Sequence, residues 1–285
     1  MAVELIGDQY GKAETRVVRV DRDGDRHSLT DLNVTTTLAG DFAATHLTGD
    51  NSQVLPTDSQ KNTVYAFAAE HGIGQIEEFG LRLARHFVAS QPAISRARVS
   101  IEQYGWRRLG PHSFQRDGGE VRTASVTVGG EGEWVVSGLT GLVLLNTTGS
   151  EFVGFVRDRY TTLPEATDRI LATAVDARWR HAGAGAADWA ASFEGVRGAL
   201  VDGFVQTYSR SLQQTLYAMG RRALEQRPEV VEVRLSLPNR HHLPVDLSPF
   251  GLPNANEVFV ATDRPYGLIE GTVTRDDAPP AGSAW

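Results

Sequence analysis

Residues 15–38 read TRVVRVDRDGDRHSLTDLNVTTTL. The run Thr15 to Val20 leads into Asp23-Gly24, a dipeptide suited to a hairpin turn, and Leu32, Val34, Thr36 and Leu38 then alternate with polar neighbours. Two antiparallel strands with one buried face account for that pattern. Further on, Gly49-Asp50-Asn51 and Pro56 form a loop. Thr57-Asp58-Ser59-Gln60 is a helix-start signature, a Thr with Gln three residues later. That helix is expected to run through Tyr65 and Phe67 to His71-Gly72. A second covers roughly 76–90, with Ile76, Phe79, Leu83 and Phe87 on one face and Pro92 as its stop. Strand signals return at Ala97, Val99 and Ile101 and at Ala124, Val126 and Val128.

The second half repeats this order. Residues 134–146 read as strand, and Gly149-Ser150-Glu151 echoes the earlier loop. Thr162-Leu163-Pro164-Glu165 is a second capping box, with Pro in its first turn. A long helical pattern follows, with Phe204, Tyr208, Leu212 and Leu216 at fourfold spacing, and ends at Arg227-Pro228. Strand stretches at 231–247 and 258–273 close the half, and the tail DDAPPAGSAW is expected to fray. The chain thus reads as α+β, with two tandem units, 1–137 and 138–285. Each runs strand–strand–helix–helix–strand–strand, an antiparallel sheet with two helices on one face. The open edges of such sheets call for assembly into a closed oligomer.

Composition narrows the function. Of 285 residues, 41% are hydrophobic and 22% charged, which excludes a disordered, collagen-like or rod-like chain. With no cysteine there is no disulfide, thiolate metal site or cysteine nucleophile. A net charge of −7 argues against a nucleic-acid partner. The longest apolar stretch, 134–145, is interrupted by Ser137, Gly138, Thr140 and Gly141 and is too short for a bilayer. The N-terminus has no basic start followed by an apolar block, so a cytoplasmic location is expected. Among eight histidines only His241 and His242 are adjacent, and neighbours on a strand face opposite ways. No HExxH, dinucleotide, P-loop or G-x-S-x-G motif occurs, so neither a metal nor an organic cofactor is expected.

A few positions break their local pattern. In the strand stretch 231–247 the odd register carries Val231, Val233, Leu235 and Leu237, then Asn239 and His241, then Leu243, Val245 and Leu247. Burying two unpartnered polar side chains costs roughly 2–7 kcal/mol each in an apolar reference medium. A core network, a bulge at Pro238 that turns both outward, or a polar ligand would resolve this. Thr57 is a helix cap or, by the same geometry, part of an anion site at a helix N-terminus. Arg169 is four residues after Glu165, the spacing of an exposed helical ion pair. Gln213 borders the apolar stripe at Leu212, Phe152 reads as packing, and Lys12 sits in a Gly-containing opening turn as a solvated side chain.

Taken in order, several blocks resemble the urate oxidase (uricase) family. Tyr10-Gly11-Lys12 and Thr57-Asp58-Ser59-Gln60-Lys61-Asn62-Thr63 are similar to its N-terminal signatures. The central block is matched by Glu151-Phe152-Val153-Gly154-Phe155, Tyr160-Thr161-Thr162-Leu163 and Asp168-Arg169-Ile170-Leu171. Ser211 to Tyr217, Ser236-Leu237-Pro238-Asn239-Arg240-His241 and Pro265 to Ile269 follow. The resemblance implies two tandem tunnelling-fold (T-fold) units, four chains around a tunnel, and active sites shared between subunits. It implies oxidation of urate by O2 and water to 5-hydroxyisourate and hydrogen peroxide, without cofactor. Arg169 and Gln213 would grip the purine, Phe152 would stack on it, and the backbone at Leu212 with the Thr57-Asp58 turn would complete the rim. Lys12, Thr57 and His241 resemble a proton-relay triad, with Lys12 and Thr57 supplied by a neighbouring chain. Asn239 would hold O2 or water above the ring. Arg240 stands where the family often has Lys, and the chain ends Ser-Ala-Trp rather than the peroxisomal Ser-Lys-Leu, which suggests a bacterial origin. Two other functions fit a chain of this kind: a non-redox T-fold enzyme acting on a purine or pterin, and a purine-binding protein without turnover.

Overall fold

The computed structural model describes residues 2–185 and 188–285. Strands β1 (Tyr10–Asp21) and β2 (Ser28–Gly40) form the expected hairpin, with Gly24 at φ +70° in the turn. After a short helix α1 (Ala43–Leu47) come α2 (Thr57–Glu70), α3 (Ile76–Ser90), β3 (Ile94–Arg108) and β4 (Phe114–Gly129). The second half supplies β5 (Gly132–Asn146), β6 (Leu171–His181), α4 (Trp189–Gln206), α5 (Leu212–Gln226) and β7 (Val230–Pro238). A small hairpin of β8 (His241–Pro244) and β9 (Phe259–Thr262) precedes β10 (Leu268–Thr274). Apart from the short α1 in the first half and the hairpin inserted in the second, each half runs ββααββ, as the sequence indicates.

The halves join through the β4–β5 pairing into one antiparallel sheet of eight strands, in the order β1-β2-β3-β4-β5-β6-β7-β10. Among the described residues, β1 and β10 are the two edges of this sheet. Two hydrophobic cores lie beneath the helices. The first gathers Leu32, Val34 and Leu38 with Ile76, Phe79, Leu83 and Phe87, the predicted face of α3. The second gathers Leu139, Val175 and Trp179 with Phe204, Leu212, Leu216 and Leu235. Along β5, Val135 belongs to the first core and Leu139 to the second.

Several expectations are corrected. The Thr162–Glu165 box starts no helix: residues 147–170 are an irregular connection, so Arg169 is not on a helix. Residues 171–181 form a strand instead, with Leu171, Thr173, Val175, Ala177, Trp179 and His181 buried in period two. The helical pattern around Tyr208 is two helices, because α4 stops at Gln206 and Ser211 caps α5 by accepting the Gln214 N–H at 3.2 Å. Thr57 is the first residue of α2 rather than its cap, since Pro56 holds that position and no side chain caps the helix. The strand at 231–247 ends at Pro238, so Asn239 and His241 leave the apolar register half-buried. The Gly- and Ala-rich connection between β6 and α4 includes residues 186 and 187, which lie outside the described residues.

The tail does not fray. Arg98 donates to the carbonyls of Ser283 (2.7 Å) and Trp285 (2.9 Å), and Arg180 donates to Pro279 O at 2.9 Å. The Arg234 guanidinium stacks 3.7 Å from the Trp285 ring centroid, and Ala284 is 3% exposed. These arginines project from β3, β6 and β7, so the tail straps both halves of the sheet.

A buried polar cluster crosses the boundary between the cores. Glu77 of α3, wholly buried, accepts from Arg122 (2.7 Å) and from Ser137 Oγ (2.7 Å). Ser137 Oγ lies 3.0 Å from His181 Nε2. Because the hydroxyl proton goes to Glu77, Nε2 must carry the imidazole proton, and Nδ1 is left without a partner. Charging His181 would put a second proton on a dry nitrogen, and burial lowers its pKa from 6.5 to about 4. Below pH 6.5 the unfolded chain takes up this proton while the folded chain resists until about pH 4. Stability should therefore fall by roughly 2 kcal/mol between pH 7 and pH 5 from this group alone. Urea unfolding at the two pH values should show that loss in the parent and a smaller one in His181→Gln; equal losses would contradict the assignment.

Candidate active site

The first group of expected site residues gathers where β1 begins beside α2. The Lys12 N–H reaches Thr36 Oγ1 at 3.4 Å, and the ladder then breaks into a bulge before Thr15, with Glu14 at φ +55°. Gly11 is required here: a Cβ would come within 1.8 Å of Thr36 O. The first turn of α2 brings Thr57 and Asp58 to the same corner. The Asp58 carboxyl is held below its ordinary pKa, first by the hydrogen bond and charge of Lys61 and then by smaller effects of Asn62 and Lys12.

The second group is built on the connection 147–170 and the strand ends that flank it. Phe152 and Ala166 exchange backbone hydrogen bonds of 2.7 and 3.1 Å, which folds the loop back on itself. The Arg169 N–H donates to Ser150 O at 2.8 Å, its Nε lies 3.4 Å from Ser150 Oγ, and its guanidinium carbon is 5.2 Å from the Phe152 ring centroid. Ser150 also bridges to Ser209, whose segment leads into the capped N-terminus of α5, where Leu212 is buried and Gln213 exposed. Asn239 closes the group just beyond the end of β7: it bridges Thr173 on β6, its N–H donates to Gly267 O at 2.8 Å, and Arg240 N–H donates to Ala172 O. His241 follows on β8, paired with Thr262.

Phe152, Arg169, Leu212, Gln213 and Asn239 thus share one end of the second unit, with His241 two residues further on. Lys12, Thr57 and Asp58 do not join them within the chain. β1 is first and β7 seventh in the sheet order, six inter-strand steps apart. At about 4.8 Å per step that is about 29 Å along the sheet.

Arg169 carries the clearest chemical signal. No carboxylate among the described residues pairs with it, and burial holds its guanidinium below its ordinary pKa. A half-buried cation whose neighbours are a hydroxyl and an aromatic face suits a flat anion, which would stack on the ring and take paired N–H donors. No group of three or more His, Cys, Asp or Glu side chains among the described residues is arranged to hold a metal ion, and no described helix is long and apolar enough to cross a membrane.

A family profile described as Uricase matches residues 8–127 and 135–270. The chain belongs to the uricase family. It is 50% identical to a uricase of Arthrobacter globiformis, over 99% of this chain and 94% of the relative. It is 40% identical to a uricase of Dictyostelium discoideum, over 95% and 97%. The crystal structure of the Arthrobacter globiformis uricase superposes with a TM-score of 0.95, covering 98% of both chains at 50% identity. That of a urate oxidase from Bacillus sp. TB-90 gives 0.80 at 26% identity, over 94% of this chain and 100% of that one. The fold is α+β, two tandem T-fold units, as in the uricase structures.

Two site-supporting residues escaped the sequence reading. Ser150 looked like part of a loop, although the Gly149-Ser150-Glu151 block precedes Phe152 directly. Thr36 was the one polar member of the Leu32–Leu38 alternation, and that exception was its signal. Because Arg169 pairs with no carboxylate, Arg169→Met strands no partner charge, and its thermal midpoint should match or exceed that of the parent. A loss of several degrees in a calorimetric scan would show that the guanidinium holds the fold.

Proposed function

We propose that this member of the uricase family oxidises urate with O2 and water to 5-hydroxyisourate and hydrogen peroxide, using no metal or organic cofactor, at sites each built by two copies of the chain in a homotetramer. The 50% identity to a uricase over 99% of the chain carries the reaction. The six-strand separation of the two residue groups supports a shared site. In this reading the repeating units divide at residue 137, where β5 passes from one core to the other. The proposal includes a cytoplasmic location, in a bacterium like the source of the 50% identical relative.

The chemistry follows from the residues. Arg169 and Gln213 grip the edge of the purine, Phe152 stacks on its face, and the Leu212 backbone with Thr57 and Asp58 of the second copy closes the rim. Ground-state O2 is a triplet and reacts slowly with closed-shell molecules, so one electron must move first. Lys12 and Thr57 of the second copy and His241 of the first pass a proton away from urate, leaving an electron-rich anion that the guanidinium stabilises. Asn239 holds O2 above the ring. Electron transfer and recombination put oxygen on the purine; peroxide leaves with two electrons, and water adds in its place. Urate, O2 and water thus balance 5-hydroxyisourate and hydrogen peroxide.

Urate's ultraviolet absorbance, followed in air with a chelator present, tests this directly. The expected result is loss of absorbance with an equimolar yield of peroxide, unchanged by the chelator. No loss with folded protein would leave a purine-binding function, and loss abolished by the chelator would overturn the cofactor-free mechanism.

A further inference from the structure

Gln60 fits the helix-start signature in the sequence, yet its side chain does no capping. It turns inward and is 0% exposed, against Thr36 at 1%. The Thr36 hydroxyl donates to Gln60 Oε1 at 2.7 Å while its oxygen accepts the Lys12 N–H at 3.4 Å. Gln60 Nε2 lies 3.5 Å from Leu55 O, and the Tyr10 hydroxyl donates to that same carbonyl at 3.0 Å. Tyr10 and Lys12 of β1, Thr36 of β2, Gln60 of α2 and Leu55 of its entry turn therefore close a ring of hydrogen bonds. Thr57 lies on the arc between Leu55 and Gln60, and Lys12 lies on the opposite arc.

We propose that Thr36 and Gln60 are positioning residues of the proton relay: their buried hydroxyl–amide hydrogen bond sets the spacing of Lys12 and Thr57. This rests on the relay reading given above. Packing alone does not call for the pair, because Leu32, Val34 and Leu38 fill the same face of β2 with apolar side chains. Two apolar residues of similar shape would be close to neutral for stability there. The backbone ladder pairs Lys12 with Thr36 but does not reach α2, and the β1–β2 register breaks immediately after Lys12. The side-chain bridge from Thr36 to Gln60 links that pair to the helix that carries Thr57. A relay needs it, because a proton crosses only between groups held within hydrogen-bond reach.

The full-length double variant Thr36→Val/Gln60→Leu removes both partners together. Its kcat for urate should fall about tenfold or more, with KM within about twofold of the parent, because the gripping residues lie on the other half of the site. Thr36→Ser, which keeps the hydroxyl, should hold kcat within about twofold, whereas the isosteric Thr36→Val should not. This pair gives the answer even if the double variant folds poorly. A parental kcat in Thr36→Val or the double variant, while Lys12→Met and Thr57→Ala are slow, would overturn the positioning role and leave the relay standing. Parental rates in Lys12→Met and Thr57→Ala would overturn the relay itself and this proposal with it.

Discussion

The length of the sheet governs everything else in this molecule. Eight strands in one antiparallel layer separate Lys12 and Thr57 from Arg169 and Asn239 by most of its width, and the polar groups of β1 and β10 stay unpaired at its margins. Unpaired strand edges invite pairing with another chain, and a closed ring of identical copies removes such edges. In the proposed assembly the same operation hides the edges and brings the two residue groups face to face. Stability and activity would then share one cause, and a lone chain would be both exposed and inactive.

Several of the buried polar groups fix positions in the fold. The Glu77–Arg122–Ser137–His181 cluster ties α3 to β4, β5 and β6 at the boundary between the cores, and it requires a neutral imidazole. The Thr36–Gln60 pair ties the first strand to the first long helix. The tail adds a third tie on the face opposite the helices, through Arg98, Arg180 and Arg234. Arg169 differs in its free donors: among the described residues its half-buried guanidinium pairs with no carboxylate and reaches only the Ser150 hydroxyl, whereas Arg98, also without a carboxylate side chain, bonds Thr127 and the tail backbone. A protein that desolvates a cation without pairing it leaves a binding surface for an anion.

The first half was legible, apart from the short α1, because its main strands and helices each carry their own period. The Leu32–Leu38 alternation and the Ile76–Phe87 face are local patterns, and both elements formed where expected. The second half was harder to read. LATAVDARWRH, residues 171–181, is rich in helix-favouring Ala, Leu and Arg, yet flanking strands on both sides hold it extended. The alternation through 231–247 continues past Pro238, but Thr173 takes the Pro238 carbonyl and the chain turns away. The tail has no period at all and is held by arginines distant in sequence. The ordered motif blocks named the candidate site residues, and the family resemblance assigned Lys12 and Thr57 to a neighbouring chain; no local pattern gives the distance between the two groups, because strand order depends on pairings between distant segments.

The shared site is the central claim, and subunit mixing tests it most directly. Thr57→Ala and Arg169→Met, each inactive alone, are unfolded together in equal amounts and refolded. If each site draws Thr57 from one chain and Arg169 from another, random assembly restores about a quarter of the sites, and urate oxidation should recover to about that share of the parental rate. A mixture that stays as inactive as its components, while forming the same oligomers as the parent, would mean that each chain carries its own complete site.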